Sequence, residues 1–334
     1  MSLEILKSGM LTTVQDTGRC GYQKDGILVS GAMDTLALRI GNLLAGNHER
    51  AAVIEITMTG PRIRFTEDHV IALTGADLSA TINGEPLKMW RPVLAANGSI
   101  LEFGAPVSGC RAYLAVAGGL DVPVVLGSYA TYLRAGIGGF KGRALRTGDI
   151  IPVKSTDTTF PRLLQELTDN TGQDAHVQVP WTIDPKLYHN YTETLTIRAI
   201  KGPEYDLFTD ESKAGFWDID FKIATQSDRM GYQLHGTSLE LKEQTDLLSG
   251  AVTFGTVQVP PEGNPIVLMA DHQTTGGYPR VAQVITADLP KLAQSMPGKT
   301  IRFTQVTLEQ AQQLYIQQEQ TIEKLKQSLH LKMS

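Results

Sequence analysis

The sequence predicts a mostly β protein of the α+β kind, with two β domains in tandem, short helices and one long C-terminal helix. Three observations carry this reading. Short apolar runs punctuated by Gly, Pro, Asn and Asp dominate the first 150 residues. Landmarks of that half return in the same order in the second half. The length, 334 residues, exceeds one ordinary core, so two domains are expected. The boundaries are placed at 1–153, with a connecting segment over 154–193 and a second domain over 194–334 that carries the helix.

Taken in order, Val70 to Leu73, Leu78 to Ile82, Ile100 to Phe103 and Tyr113 to Val116 read as strands. Asn83-Gly84 and Asn97-Gly98 read as turns whose glycines supply positive φ. One helix interrupts the strands. Asp34 can cap it, Leu36, Ala37, Ile40, Leu43 and Leu44 form one face, and Gly46 can end it. From Lys154 to Asp184 strand signals fade among Thr, Asp, Gln and Asn, with a short helix expected over Phe160 to Leu167. Strands resume at Leu195 to Ile200. At the end, Thr307 and Gln310 can form a capping box. Leu308, Ala311, Tyr315, Ile322, Leu325 and Leu329 follow at helical spacing and are expected to pack back on the body.

The repeat rests on four landmarks. Arg19 to Gly26 and Arg229 to Gly236 both read R-x-G-Y-Q-x-x-G. Ser-Gly-Ala follows each, at Ser30 to Ala32 and at Ser249 to Ala251. Ala76-Asp77 and Ala270-Asp271 each end an apolar run, and Gly98 and Phe103 answer Gly298 and Phe303. Any one match is ordinary among Gly-rich turns, but four in order point to a duplicated domain.

Composition excludes several function classes. The net charge of −5 and pI near 5.8 argue against a nucleic-acid or anionic-membrane surface. Two cysteines, Cys20 and Cys110, make neither a disulfide framework nor a metal-ligand pair. No apolar stretch has signal-peptide or membrane-span length. The cytoplasm is therefore expected. The seven histidines are scattered with no zinc spacing, so no metal is expected.

Chemistry concentrates in Pro265 to Asp288. The strand Ile266 to Met269 runs into Asp271, His272, Gln273, Thr274 and Thr275, then Gly276-Gly277-Tyr278-Pro279, and a second apolar run leads to Asp288, a helix cap. Asp271 and His272, with Gln273, are candidate catalytic residues, because an imidazole titrates near cytoplasmic pH. The bland alternative is that Asp271 caps a turn and His272 meets a carbonyl. Thr274, Thr275, Gly276 and Gly277 can line up amides for an anion, or form a tight hairpin. Arg19 and Arg229 can tie loop carbonyls together or clamp a carboxylate. Ser30 lacks a nucleophile-elbow context, so Ser30 or Asp34 is expected to cap a helix. The glycine-rich run Gly136 to Arg143 lacks the strand-then-helix frame of a nucleotide loop. Lys141, Arg143 and Arg146 there suit an anionic ligand or partner better. Lys88-Met89 and Lys332-Met333 lack the preceding Ala-Met of a biotin-attachment site.

Three stretches carry a family resemblance: TVQDTGRCGYQKDGILVSGAMD, GSYATYLRAGIGGFKGRALRTGD and SGAVTFGTVQVPPEGNPIVLMADHQTTGGYPRVAQV. Together they resemble the biotin-dependent carboxyltransferase family, which includes allophanate hydrolase subunit 2-like proteins. Cys20 stands at a variable position of the first motif. The resemblance implies two cyclophilin-like β-barrel domains. It implies a pocket of Asp271, His272, Gln273, Thr274, Thr275, Gly276, Gly277 and Tyr278, with Arg19, Met33 and Asp34 in the N-terminal motif and Arg229 and Tyr232 in its echo.

The function that the resemblance implies belongs to a complex. Members serve beside A and B subunits, the second of them KipI-like, in a 5-oxoprolinase that uses ATP to open 5-oxo-L-proline to L-glutamate. Others act as an antagonist of KipI (KipA), relieving inhibition of a sporulation histidine kinase, or as carboxyltransferases that need biotin, as in urea carboxylase. The first of these is the expectation here, with ATP consumed by the complex and biotin required only in the last case.

Overall fold

The structure is a computed structural model that describes residues 1–155, 161–169, 176–187, 195–243 and 245–334. Its contacts divide the chain into two compact units. The first holds Met1–Arg19, Asp34–Asn190 and Gln320–Ser334; the second holds Cys20–Met33 and Tyr191–Glu319. The expected boundaries follow the order of the chain, whereas the packing exchanges two segments. Residues 20–33 go with the second unit because Met33 is fully buried in its core.

The first unit lays two six-stranded antiparallel sheets over one core. One sheet runs Ile150–Pro152, Ser2–Lys7, Arg62–Phe65, Ile100–Glu102, Thr81–Ile82, Glu85–Pro86. The other runs His176–Gln178, Pro92–Ala95, His69–Asp77, Ser108–Val116, Val53–Thr57, Leu11–Gln15. Alternation puts Leu3, Ile5, Ile63 and Phe65 of one sheet, and Ile54, Ile56, Leu73 and Leu114 of the other, into that core. Asn83 and Gly84, with φ of 50° and 87°, make the tight hairpin turn expected of Asn-Gly. Of the run Leu78 to Ile82, only Thr81–Ile82 is a strand.

The second sheet's other face carries a polar row, Thr13, Glu55, Tyr113 and Thr74, aligned by register. The helix Thr35–Leu44 lies against it. Thr74 donates to the Ala37 carbonyl at 2.7 Å, Tyr113 donates to Glu55 at 2.9 Å, and the Asp34 amide donates to the Tyr113 hydroxyl at 2.8 Å. Asp34 caps the helix by accepting from the Ala37 amide at 2.9 Å, and Gly46 turns left-handed after its end.

The segment 154–193 does more than connect. Pro161–Asp169 is a helix, and His176–Gln178 becomes the edge strand beside Pro92–Ala95. Phe160, where the helix was expected to begin, lies outside the described residues. Three residues are too short a run for periodicity to reveal, so the strand is decided by its partner.

The second unit closes into a seven-stranded barrel: Leu195–Lys201, Arg280–Val284, Thr256–Gln258, Ile266–Leu268, Gly231–His235, Asp220–Ile223, Thr300–Gln305, and back to the first. The closing pair is parallel and the others antiparallel. Closure removes exposed edges. Ile197, Phe221, Tyr232, Val257, Val267, Val281 and Phe303 fill the interior. The helix Asp210–Asp218, capped by Thr209 on the Ser212 amide at 3.1 Å, adds Phe216, stacked on Phe303 at 4.7 Å. The repeated letters take different shapes: Gln23–Asp25 is a 3-10 turn, Gly231–His235 a barrel strand.

Asp288 stands at the N-cap position of Leu289–Ala293, but its carboxylate makes no cap bond. It takes Arg198 instead, through the backbone amide at 2.8 Å, Nε at 2.9 Å and Nη2 at 2.6 Å. A charged fork outcompetes a neutral amide. The last helix, Leu308–Met333, opens on the expected capping box: Gln310 Oε1 accepts from Thr307 N at 2.9 Å, and Thr307 Oγ1 accepts from Gln310 N at 3.2 Å. Ile322, Leu329 and Met333 are buried, whereas Leu308 and Tyr315 are exposed. No helix among the described residues is long and apolar enough to cross a membrane.

Candidate functional site

Arg229, Asp271 and His272 come together at one end of the barrel strands Gly231–His235 and Ile266–Leu268, which pair through Gly231↔Leu268. The apolar runs end there, and the chain leaves the ladder with its polar residues still held by the barrel. Asp271 grips Arg229 with both oxygens, Oδ2 to Nε at 2.8 Å and Oδ1 to Nη2 at 3.0 Å. Its amide also donates to the Arg229 carbonyl at 2.8 Å. Arg229 Nη2 reaches the Gly31 carbonyl at 2.6 Å and so holds the 20–33 segment. Both side chains are almost wholly buried, so this is a desolvated, bidentate pair.

His272 follows directly and is 8% exposed. Its Nδ1 lies 2.5 Å from the Gln273 carbonyl oxygen. A carbonyl only accepts, so Nδ1 carries the proton and Nε2 carries the lone pair. Burial lowers the imidazole pKa; the Gln273 carbonyl and the Asp271 charge pull against it but lose. A neutral imidazole with an open Nε2 is able to take a proton.

Beyond His272 the loop returns as a two-residue strand. Thr275 and Gly276 pair with Ala251 and Gly250, and the Thr274 carbonyl accepts from Val252 at 3.2 Å. Gly276 and Gly277 avoid the left-handed region that an alternating anion nest requires. They serve close approach instead. A Cβ at Gly276 would lie 3.0 Å from Gln258 Oε1, and one at Gly277 would lie 3.3 Å from Ser249 Oγ. Thr275 and Tyr278 are exposed, and Tyr278 is 45% accessible.

Other expected site residues are placed elsewhere. Tyr232 points into the barrel core, 1% exposed, with its hydroxyl 3.5 Å from the Ala293 carbonyl. Arg19 is in the first unit and fully buried; Nε donates to the Val125 carbonyl at 2.9 Å and Nη2 to that of Ala130 at 2.8 Å. Of the two equivalent arginines, Arg19 ties loop carbonyls and Arg229 takes a carboxylate. Ser30 caps nothing: it sits at φ 54°, buried, and its hydroxyl has no partner among the described residues. In the glycine-rich loop, Arg143 is taken by Asp149 through two bonds of 2.7 Å, and Lys141 lies over the Phe140 ring at 4.9 Å.

Two supports were not singled out as site residues, although both lie within the third family stretch. Arg280 clamps Glu204 with Nε at 2.7 Å and Nη2 at 2.6 Å, and its Nη1 donates to the Ala251 carbonyl at 3.1 Å. This bond holds the strand that faces Thr275–Gly276. Gln258, at the end of Thr256–Gln258, is buried beside Gly276. Neither lies in a repeated motif, and only a barrel map brings them to the loop.

The chain belongs to the family described as carboxyltransferase domain, subdomain A and B, whose model matches residues 25–305. It is 41% identical to the 5-oxoprolinase C subunit of Escherichia coli over 98% of this chain and 99% of that protein. It is 40% identical to the 5-oxoprolinase C subunit of Haemophilus influenzae over 93% and 94%. Among solved structures, the K. lactis urea amidolyase superposes with a TM-score of 0.86 at 30% identity. That match covers 97% of this chain and only 20% of the amidolyase.

Proposed function

We propose that this chain is the C subunit of an ATP-dependent 5-oxoprolinase, acting with the A and B subunits to open 5-oxo-L-proline to L-glutamate. The observation that carries this is the 41% identity, over almost the full length of both chains, to the Escherichia coli protein of that name. The more distant urea amidolyase likeness, over a fifth of that protein, supports the domain type but not that reaction.

The lactam is a stabilised amide, so opening it needs an activated carbonyl and a nucleophilic water. ATP, consumed by the complex, supplies the activation. His272 accepts the water's proton through Nε2, the nitrogen left basic by the Nδ1 contact to Gln273. Asp271 and Arg229 are positioning residues: their paired side chains fix the turn from which His272 projects. The exposed hydroxyls of Thr275 and Tyr278 receive the substrate carboxylate. The KipI-like partner, the B subunit, supplies the rest of the site.

The test is ATP hydrolysis and glutamate release by purified A, B and this chain, with 5-oxo-L-proline present or absent. Omitting this chain should abolish both the stimulation by 5-oxoproline and the glutamate. Unchanged turnover without it would refute the proposal.

A further inference from the structure

A polar cleft of about 330 Å³ lies in the second unit, where the first turns of the helix Leu308–Met333 pass the strand Leu195–Lys201. Arg198 and Val306 line it from the barrel, and Gln310, Gln313, Leu314 and Gln317 line it from the helix. The three glutamines stand at i, i+3 and i+7, so their carboxamides share one helix face. The volume is at the small end of ligand sites. No residue of the loop from Asp271 to Tyr278 takes part.

Arg198 brings a charge that its partner does not cancel. Its Nε and Nη2 hold Asp288, which is fully buried. Lys291 Nζ reaches the same carboxylate oxygen, Oδ1, at 3.1 Å. One carboxylate thus serves two cations, and the cluster keeps one positive charge. Arg280, by contrast, meets Glu204 one to one. The remaining nitrogen of Arg198, Nη1, has no partner among the described residues. It is not sealed in, and 29% of the side chain is exposed. A guanidinium nitrogen on the wall of an open cleft, with a net positive charge behind it, suits a carboxylate.

The helix side is neutral and rich in amides. Gln310 uses its Oε1 on the Thr307 amide, which leaves its Nε2 as a donor. Gln313 makes no hydrogen bond among the described residues. Glu309 comes one turn before Gln313, but its carboxylate is held by its own amide and the Thr307 hydroxyl.

We infer that this cleft is a ligand site for a small monocarboxylate that carries an amide, separate from the candidate catalytic loop. The carboxylate accepts from Arg198 Nη1, and one unbalanced cation matches one negative charge. The ligand amide meets the glutamine carboxamides, each of which both donates and accepts. Val306 and Leu314 cover the carbon skeleton. A bound acid ties the barrel wall to the first turns of the helix. This goes beyond the oxoprolinase reading and stands without it.

The test is saturation-transfer NMR on the purified chain with two probes. N-acetylglycine has both the amide and the carboxylate; N-acetylglycinamide lacks the charge. N-acetylglycine should bind with a Kd on the order of 1 mM. The neutral probe should bind about tenfold or more weakly, as for one lost charge-assisted bond. Replacing Arg198 would strip Asp288 of its partner, so the charge is cancelled from the helix side instead. Gln313→Glu places a carboxylate in the cleft and should weaken N-acetylglycine about tenfold or more. Gln313→Ala should weaken it about two- to fivefold, the loss of one neutral hydrogen bond. Gln313 is an exposed helix residue, so both variants should keep the wild-type Tm without ligand. With N-acetylglycine at about ten times its Kd, the Tm should rise by about 1–2 °C in the wild type and stay put in Gln313→Glu. No saturable binding, equal binding of the two probes, or binding that survives Gln313→Glu overturns the inference.

Discussion

Arg229 and Asp271 meet side-on through two bonds of 2.8 and 3.0 Å, and only about one-twentieth of each residue is exposed. The pair joins the end of one barrel strand to the start of the site loop. It also reaches the Gly31 carbonyl, far back in sequence. Each charge is tolerable only because the other is present.

Asp271→Leu or Arg229→Met alone should therefore destabilise the chain by about 3–5 kcal/mol, since each leaves a buried partner uncompensated. The double variant Arg229→Met/Asp271→Leu should cost much less than the two single changes together. Equilibrium urea unfolding of all four proteins closes the cycle. Additive costs would show that the two side chains do not share one interaction.

The burial that lowers the His272 pKa sets a pH signature. Unfolded, the imidazole titrates near 6.5; folded, it titrates lower. Between those values the unfolded chain binds the extra proton, so stability falls as pH drops through 6.5 and is unaffected by this group well above it. The acid limb of kcat/KM for the complex should accordingly lie below pH 6.5. His272→Gln should lower kcat on the order of 100-fold or more. A limb at or above 6.5, or a fully active His272→Gln protein, would show that His272 is not the base.

Asp288 makes an acid-side prediction in the same barrel. Burial raises its pKa, but the bonds from Arg198 outweigh that and the net shift is downward. Its stabilisation is present above the ordinary aspartate range and is lost as pH falls through the depressed value. Asp288→Asn should thus lower the Tm at pH 7 and lose its deficit in strong acid. A Tm difference that stays constant from pH 7 to strong acid would contradict the pairing.

Thr307→Ala should remove one bond of the capping box and fray the start of Leu308–Met333, at a cost of about 1 kcal/mol. Hydrogen exchange at the first helical turn reads this directly. Thr307→Ser should restore protection. Equal exchange in all three proteins would mean that the cap does not hold the helix end.

Much of the fold was legible because it is written locally. The Asp34 cap, the Asn83-Gly84 turn and the Thr307–Gln310 box each depend on residues three or fewer apart, and each formed as expected. Asp288 shows the limit. Its position before a helix was right, but a guanidinium 90 residues away took the carboxylate. The strand His176–Gln178 was hidden for a similar reason, since its pairing with Pro92–Ala95 and not its own pattern makes it a strand.

The candidate loop was legible as a place but not as a site. Asp271, His272 and the glycines stand together in sequence, and their polar density between two apolar runs marked them. Their division of labour did not follow from the letters. Tyr232 alternates into the barrel core, and Gly276 and Gly277 serve close contact rather than positive φ.

By itself the sequence determined the β-rich class, the main helix caps and turns, and the polar loop between two apolar runs, because periodicity, φ preference and capping act between near neighbours. Only the tertiary structure decided that Arg229 pairs with Asp271 while Arg19 holds carbonyls, that residues 20–33 join the second unit, and that Gln258 lies against Gly276. Those outcomes depend on burial and charge pairing between residues 18 to 198 positions apart, where the tertiary fold and not the chain sets who is near whom.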